Sequence, residues 1–468
     1  ITEGILAAVW NEQAPLRGPI WDCLGEPVAV VYRGRWSGGS GPDFQGAMLS
    51  LGGDSAPLVT GSVEMHLMCA DWWAHGHHND PRYNSVALHV VLWPNAARPV
   101  TRQDGVQVPT VVLGDYVTVP STELLSRVSP LVANLGTMSE EPCWQRTQEW
   151  PIERLQTIVE EAGDERLLRK AAAFEADLDV YRSPDDLFYK GMMDALGYSA
   201  NREPMRALAE VLPLDALLTL PLTKNLQERV TLLEAVLLGA AGLLPSQHPT
   251  AGALDWLSEE YAEEVERLWQ AHASMVDMSG AERIPAWNSE RVRPANSPYR
   301  RLAAAARLLA QLLWERGGML GPFIDIKHLQ TKELVKRWTA LLTVSGEGYW
   351  ASHSGFGQAL GAGKDSIALV GSSRSADMVV NILLPLLVGV AERERDRKLG
   401  ETALRVYAEY PRLAENNITK AMLDEALGPR GKSLKAGARG QQGLIHLYRL
   451  FCEARRCHEC PLSGSRGS

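Results

Sequence analysis

The chain contains few cysteines, no long apolar run and no excess of positive charge. Its six cysteines in 468 residues are too few for the disulfide framework of a small secreted protein, and three of them crowd together near the C-terminal end. No run approaches the roughly 18 apolar residues that cross a bilayer. The net charge of -9 argues against a protein that coats nucleic acid indiscriminately, although local basic faces can exist on an acidic protein.

The composition is that of an ordinary globular protein with a large core, since 45% of residues are hydrophobic and 22% are charged. The first residues lack the basic segment and the apolar stretch that together make a signal peptide. We therefore expect a cytoplasmic protein with no membrane partner.

The first 118 residues show a helix followed by strands. Residues 3–13 have the spacing of a short amphipathic helix that ends before Pro15. Strand-like runs follow at residues 28–32, 47–51, 58–68, 86–93 and 108–113. Short strands led by a helix predict a small α/β domain over residues 1–118.

Beyond residue 121 the apolar residues recur every three or four positions, which is typical of helices. The predicted helices cover residues 151–179, 185–211, 225–243, 253–276, 299–316, 330–343, 375–394 and 400–409. The stretch 428–443 is rich in glycine and basic residues and is predicted to be a mobile loop. The predicted fold class is therefore α+β, with a helical region over 119–427 and a basic segment with a cysteine motif over 428–468.

Histidines and acids concentrate between Pro42 and His89, where five of the eleven histidines lie. Strand alternation places Glu64 and His66 on one face of the strand 58–68, and its apolar residues on the other. Asp43 lies just before the preceding strand, so it meets Glu64 if the two strands pair. Two convergent carboxylates form a hard-oxygen site that suits Mg²⁺ or Mn²⁺.

This pattern resembles the PD-(D/E)XK nuclease superfamily, which has a Pro-Asp, then Glu-x-Lys on the next strand, and a Glu or Gln on a leading helix. The chain supplies Pro42–Asp43, Glu64–His66, and Glu12 or Gln13. The resemblance implies a restriction-endonuclease-like domain in which the two acids bind the metal and catalyse, and the helix residue supports them. The chain departs from the pattern at His66, because a histidine carries no permanent charge but can orient a water or act as a base.

The segment after this strand offers further ligands. Within Asp71–Asp80, His75 and Asp80 are the outer site candidates, and the alternative is a loop whose histidines only pack or stay solvated. His89 on the next strand fits a satisfied buried histidine as well as a ligand. A hydrolase that uses the histidine cluster to bind Zn²⁺ is therefore a further hypothesis.

Longer stretches are similar to a bacterial family that carries only the label domain of unknown function 2851. The matching stretches are Gly41–Phe44, Val63–Leu67, Asp71–His77, Asp80–Asn84, Leu88–Val91, Arg293–Asn296, Glu415–Thr419 and Gln441–Tyr448. The similarity spans nearly the whole chain. It supports the site as a family feature without naming a reaction, because the family has no established function to carry over.

The last cysteines have the spacing of a soft-metal site. Cys452, Cys457 and Cys460 follow a C-x4-C-x2-C pattern, and thiolates bind Zn²⁺ or iron–sulfur clusters. The fourth ligand is either His446, which is near in sequence, or the remote Cys143. One distant and three terminal cysteines resemble the [4Fe–4S] staple of some RecB-type nucleases. The alternative is three reduced cysteines near a frayed terminus.

A second basic cluster lies at residues 283–301, which hold five arginines against one acid. Asn296 or Ser297 can cap a helix that starts at Pro298, whose free N–H groups would attract phosphate. Basic side chains beside aromatic ones fit a surface for nucleic acid. The candidate binding residues are Arg291, Arg293, Asn296, Arg300 and Arg301. A solvated loop that pairs with acids elsewhere is the alternative.

The sequence thus favours a metal-dependent nuclease-like protein that hydrolyses phosphodiester bonds in DNA or RNA. The alternative is a non-catalytic nucleic-acid-binding or scaffold protein with a degenerate nuclease fold, which the missing lysine favours. The sequence leaves open which nucleic acid is bound and whether a protein partner is required.

Overall fold

The structure is a computed structural model, and it describes residues 2–12, 19–37, 41–52, 58–94, 97–117, 143–181, 183–198, 200–247, 254–288, 294–313, 318–325, 327–360, 368–453, 456 and 459–463. About 59% of the chain is helical, with a sheet domain at the N-terminal end and a large helical region. At this level the predicted α+β class is confirmed.

The chain forms two compact units whose bounds differ from the predicted ones. The first unit comprises Ile1–Ile158, Glu415–Leu434 and Leu447–Ser468, and the second comprises Val159–Ala414 and Lys435–His446. The predicted boundaries at residues 118 and 428 do not coincide with this division. The difference arises because parts of the C-terminal segment pack against the sheet, which a reading along the chain does not reveal.

Two contacts within the first unit tie that segment to the sheet. Arg35 Nη1 lies 2.6 Å from Glu425 Oε2, and the Tyr448 hydroxyl donates a hydrogen bond to the Val31 carbonyl. Val31 lies in the strand Pro27–Tyr32, and Arg35 lies in the strand Arg35–Trp36. The C-terminal residues therefore complete the first unit instead of forming a separate domain.

The first unit contains a mixed sheet that helix α1 (Glu3–Glu12) precedes. The strands of this unit are β1 Ile20–Trp21, β2 Pro27–Tyr32, β3 Arg35–Trp36, β4 Phe44–Leu51, β5 Leu58–Met68, β6 Val86–Trp93, β7 Val100–Thr101, β8 Gln107–Val108 and β9 Thr110–Val112. Strands β7 and β8 pair with each other in a separate two-stranded sheet. The main path through the sheet is β1-β2-β4-β5-β6-β9, and β3 pairs with β4. The pairs up to β5 are antiparallel, whereas β5 pairs with β6, and β6 with β9, in parallel.

Strand β5 has the predicted alternation, but both of its faces are covered. Val63 and Met65 are buried in one apolar cluster together with Leu6 and Trp10 of helix α1. Glu64 and His66, on the opposite face, are 5% and 1% exposed. Their burial excludes the alternative that these two residues lie on a solvent-exposed face of the sheet.

The second face of the sheet is covered by the connection between β5 and β6. This connection holds helix α2 (Asp71–Ala74) and two 3-10 helices, His77–Asn79 and Pro81–Ser85. Trp72 and Tyr83 from it pack in an apolar cluster with Val91 of β6. A polar row on β5 is therefore enclosed beneath a short, tightly turned segment.

The second unit is mainly helical and also holds a short antiparallel pair of strands, β10 His353–Gly355 and β11 Gln358–Ala359. The helices that form or enter it are Ile152–Asp177, Pro184–Leu196, Arg202–Val211, Leu214–Leu218, Leu226–Ala240, Trp256–His272, Pro298–Leu312, Gly321–Ile324, Thr331–Leu341, Ser372–Met378, Leu384–Glu394, Arg397–Glu409 and Ala438–Leu447. Cys143–Arg146 and Asn417–Met422 are short helices of the first unit. Leu226–Ala240 and Pro298–Leu312 are buried on nearly all sides and form the centre of the helical core.

Two expectations about the helices are corrected. Residues 185–211 form two helices instead of one, because Tyr198 between them has a left-handed conformation with φ +53°. Residues 428–443 are not a continuous loop, because the helix Ala438–Leu447 begins within them. Gly443 allows this helix to approach Ile152–Asp177, since a Cβ at Gly443 would collide with the Val159 carbonyl.

The expectation of no long apolar run is corrected, because the continuous helical stretch Ser372–Glu394 is long and apolar enough to cross a membrane by length and composition alone. However, 78% of its apolar window is buried inside the protein. Its apolar surface is thus accounted for by packing within the helical unit.

A buried acid lies in the helical core. Glu234 on Leu226–Ala240 accepts a hydrogen bond from the Tyr261 hydroxyl at 2.7 Å, and Trp350 Nε1 donates to that hydroxyl at 3.0 Å. Burial raises the pKa of Glu234 to about 8. The folded protein therefore holds a proton on Glu234 at pH values where the unfolded chain has lost it.

We expect Glu234→Gln to reduce the pH dependence of stability. Between an unfolded pKa near 4.5 and the folded value of about 8, this group makes the free energy of unfolding fall as pH rises. The fall amounts to about 1.4 kcal/mol for each pH unit. Urea denaturation from about pH 5 to about pH 8 should show a smaller fall for the variant. Glu263→Gln, at an exposed acid, is the matched control, and equal slopes for wild type and Glu234→Gln would contradict the assignment.

Candidate metal centre

The pairing of β4 with β5 brings the two predicted acids together. Phe44 lies opposite Val63 in the antiparallel register, which places Asp43 beside Glu64. The Asp43 N–H donates to Glu64 Oε2 at 3.1 Å, and the Met65 N–H donates to Asp43 Oδ2 at 2.9 Å. Each carboxyl group is thus held by a backbone N–H from the neighbouring strand.

The surroundings of Asp43 and Glu64 disfavour a negative charge on both carboxyl groups at once. Burial raises the pKa of both Asp43 and Glu64 well above its ordinary value, and the Glu64 charge raises that of Asp43 further. The charge of Glu3, in the first turn of α1, adds to the rise at both. A bound cation or a shared proton relieves this repulsion.

Three histidines converge on the same place. His66 Nε2 lies 3.1 Å from His75 Nδ1, and His77 Nε2 lies 3.2 Å from Glu64 Oε1. His66 Nε2 is 3.6 Å from the same oxygen. Among the described residues, these three imidazoles form a group whose ligand nitrogens all lie within 4.8 Å of one another. The arrangement can hold a metal ion.

A sharp turn after helix α2 directs two of these rings. Gly76 has φ +77°, a left-handed conformation that glycine adopts without strain, and it separates His75 from His77. The His77 ring stacks on Tyr83 with centroids 3.7 Å apart and meets the edge of Trp72 at 5.4 Å. His77 is therefore held in one orientation, while His75 remains exposed.

His66 also belongs to a buried series of hydrogen-bonded side chains, which it contacts through its other ring nitrogen, Nδ1. His66 Nδ1 lies 2.9 Å from His89 Nε2, and His89 Nδ1 lies 3.2 Å from Thr110 Oγ1. The Thr110 hydroxyl donates to the Arg98 carbonyl at 2.7 Å. Burial lowers the pKa of His66 to about 2 and that of His89 to about 3, so both rings are neutral.

The structure bears differently on the other predicted site residues, His75, Asp80, Glu12 and Gln13. His75 is one of the three converging histidines. Asp80 does not, because Arg82 holds its carboxylate in a bidentate pair and the carboxylate caps the helix Pro81–Ser85. Glu12 is the last residue of α1, and Gln13 lies outside the described residues. Among the described side chains of α1, Glu3 is an acid whose charge acts on the site.

Sequence reasoning gave too little weight to His77 and did not identify Glu3 or Thr110. Alternation along β5 could find Glu64 and His66, because they belong to one strand. His77 and Thr110 reach the site from other elements of the fold. Glu3 acts from the N-terminal end of α1, opposite the end where Glu12 lies. The dense run of histidines after β5 was the available signal for His77.

The nucleic-acid surface predicted around Pro298 is corrected. Ser297 caps this helix as expected by accepting from the Arg300 N–H, but Arg300 and Arg301 are 0% and 3% exposed. Arg300 donates to the Trp350 and His353 carbonyls, and Arg301 donates to the Leu369 carbonyl at 2.5 Å. These arginines bind the protein's own backbone and cannot reach phosphate.

Two further members of that predicted surface cannot be placed, since Arg291 and Arg293 lie outside the described residues. Asn296 is partly exposed, and its Oδ1 accepts from Arg301 Nη2 at 3.3 Å. Of the described arginines in this region, Arg300 and Arg301 donate internal hydrogen bonds, whereas Arg283 is exposed.

The cysteine motif is described in part. Cys460 is buried, and the turn Pro461–Ser463 after it contacts the short helix Cys143–Arg146. Cys452 Sγ lies 3.7 Å from Met422 Sδ, and Cys457 lies outside the described residues. A zinc or iron–sulfur site involving these cysteines stays a prediction.

The other proposed fourth ligand, His446, has a different neighbour. Its Nε2 lies 3.4 Å from Glu165 Oε1 of the helix Ile152–Asp177. The role of His446 as a fourth ligand stays a prediction.

Comparison with known proteins gave one match. A family model described as Protein of unknown function (DUF2851) matches residues 3–417. No curated protein and no solved structure matches the chain. The matched range includes every residue of the histidine and carboxylate site and ends before the cysteine motif, although the resemblance seen in the sequence extended further.

We expect Gly76→Ala to destabilise the protein by roughly 1–2 kcal/mol, because an L side chain is strained in the left-handed conformation. A Cβ at Gly76 would meet no atom within 4 Å, so the effect should come from backbone strain alone. Urea denaturation measures it. The matched control is Gly400→Ala in the helix Arg397–Glu409, where alanine favours the helix. Equal stability of Gly76→Ala and wild type would contradict a strained turn.

Proposed function

The chain belongs to the DUF2851 family, and we propose that it is a metal-dependent hydrolase of phosphodiester bonds in DNA or RNA with a nuclease-like N-terminal domain. The observation that supports this most is the contact of Asp43 with Glu64 across β4 and β5, with His66 next on the same face. These residues come from Pro42–Asp43 and Glu64–His66, the two segments that resemble the PD-(D/E)XK pattern.

The order of elements agrees with this proposal. Helix α1 precedes antiparallel strands that carry the two acids, and a parallel strand follows after a helical connection. The leading helix also contributes an acid, Glu3, whose charge acts on Asp43 and Glu64. A leading-helix acid is part of the superfamily pattern, although the sequence suggested Glu12 or Gln13 for that part.

The residues present fit a divalent cation. Asp43 and Glu64 place two carboxyl groups together where burial disfavours their negative charge, and a cation offsets that cost. A bound divalent ion would supply polarisation of the phosphate and activation of a water. His66 stands where the pattern has lysine, and since it is neutral it offers a ring nitrogen instead of a positive charge.

Hydrolysis of a phosphodiester forms one P–O bond from water, breaks one P–O ester bond, and moves a proton from the water to the leaving oxygen. Asp43 is the carboxyl group placed to accept this proton, because it lies beside Glu64 at the same site. Glu64 contacts the imidazoles and so helps to hold the cation.

We expect purified protein to cleave at least one substrate among single- and double-stranded DNA and RNA when Mg²⁺, Mn²⁺ or Zn²⁺ is supplied. Asp43→Asn should lower the rate by about 100-fold or more, because it removes a charge from the reacting centre while its side chain can still accept from the Met65 N–H. Gel-based cleavage assays under single-turnover conditions measure this loss.

The matched control is Asp115→Asn, at an exposed acid in the same unit, which should keep the wild-type rate. Equal rates for wild type and Asp43→Asn would refute catalysis at this site. Salt-dependent binding of nucleic acid without cleavage under any of the three metals would instead identify a non-catalytic binding protein.

A further inference from the structure

We infer that the site binds one transition-metal ion of the zinc class through His66 Nε2, His75 Nδ1, His77 Nε2 and Glu64 Oε1, and that His89 and Thr110 position the first of these ligands. This inference names the metal of the proposed hydrolase and rests on that proposal only for the reaction. The binding of the ion itself follows from the geometry of the side chains.

The separations between ligand atoms fit a four-coordinate ion. Zinc bonds of 2.0–2.1 Å in a tetrahedron put neighbouring ligand atoms about 3.4 Å apart. The separation of His66 Nε2 from His75 Nδ1 is 3.1 Å. Glu64 Oε1 is 3.2 Å from His77 Nε2 and 3.6 Å from His66 Nε2. Each of these distances is close to a tetrahedral edge.

The proton positions along the series of hydrogen bonds from His66 through His89 and Thr110 follow from its last acceptor, the Arg98 carbonyl. The Arg98 carbonyl can only accept, so the Thr110 hydroxyl donates its single proton there. Thr110 Oγ1 must then accept from His89 Nδ1, which leaves His89 Nε2 without a proton. His89 Nε2 in turn accepts from His66 Nδ1, so His66 Nε2 carries a lone pair.

This chain of hydrogen bonds is what a metal ligand requires. A ligating histidine donates its other N–H to a fixed acceptor, which sets the tautomer and the orientation of the ring. In this protein the lone pair of His66 Nε2 points towards His75 and Glu64. His66 is thus prepared as a ligand by groups that do not touch the ion.

His77 gives an independent reason to expect a ligand. Its ring is 7% exposed, and its Nε2 is buried without a hydrogen bond among the described residues, although Glu64 Oε1 is nearby. An unsatisfied buried nitrogen is costly in free energy, because the group has lost its hydrogen bonds to water. Stacking on Tyr83 holds the ring in that place, and coordination of an ion would satisfy it.

The donor set favours zinc over magnesium. Magnesium demands an octahedral shell of oxygen ligands and keeps several waters, whereas imidazole suits zinc, copper, iron and nickel. Three of the four donors here are imidazole nitrogens. The site therefore departs from a centre in which carboxylates alone bind Mg²⁺ or Mn²⁺.

The test is zinc titration of the full chain after chelator treatment, with a colorimetric chelator as competitor and Co²⁺ as a spectroscopic substitute. In Cys460→Ser, which disables the predicted cysteine site, we expect one equivalent to bind with visible absorption typical of four-coordinate Co²⁺ and without a thiolate charge-transfer band. His75→Ala should lose this equivalent, and its folding risk is small because His75 is exposed. His78→Ala is the matched control and should retain it, as should Cys460→Ser.

The positioning role has its own variants. Thr110→Val removes the acceptor for His89 Nδ1 and should weaken zinc binding by about 10–100-fold. Thr110→Ser keeps the hydroxyl and should restore wild-type affinity. Circular dichroism melting checks that each variant is folded. Zinc affinity that is equal in Thr110→Val and wild type would overturn the positioning role.

Failure of this inference can be told apart from failure of the proposed hydrolysis. Zinc bound at the histidine site of a protein that cleaves nothing supports the inference and refutes the reaction. Cleavage that runs on Mg²⁺ and persists in His75→Ala overturns the inference and leaves the reaction standing. Unchanged zinc stoichiometry in both His75→Ala and His77→Gln would also overturn it.

Discussion

The enclosure of polar side chains on one face of strand β5 is the constraint on which the candidate site depends. Glu64 and His66 are buried beneath the connection between β5 and β6, where water cannot satisfy them. Each must therefore find a partner inside the protein or bind a ligand, because an unpaired buried polar group is costly. The pairing of β5 with two neighbours meets this requirement by bringing Asp43 to one side and His89 to the other.

The same rule explains why Arg300 and Arg301 of the helical unit do not form a binding surface. Arg300 and Arg301 lie in the first turn of a buried helix and donate to carbonyl groups of the chain segments around them. Arginine can be buried when its donors are satisfied in this way. Charge counted along the chain therefore indicates where positive residues lie, but it does not show whether they face solvent. Glu234 meets the cost of burial in a different way, because burial raises its pKa and keeps the side chain protonated and uncharged.

The sequence predicted the regular elements well where a local period was strong. Strand β5 and the helix Ile152–Asp177 lie within two residues of their predicted ends, because alternation and three- or four-residue spacing are properties of neighbouring residues. The break at Tyr198 and the helix Ala438–Leu447 were missed. The first lacks a proline to mark it, and the glycines of the second serve close packing against another helix.

Alternation in the amino-acid sequence is enough to place Glu64 and His66 on one face of a strand, and the resemblance to a nuclease pattern singled out Asp43. The other residues that join them depend on how separate elements pack. His77 depends on a left-handed turn at Gly76, Thr110 depends on the register of a parallel strand, and Glu3 depends on the packing of α1. The physical reason is that a strand's alternation is local, whereas convergence of side chains from separate elements is set by packing and burial.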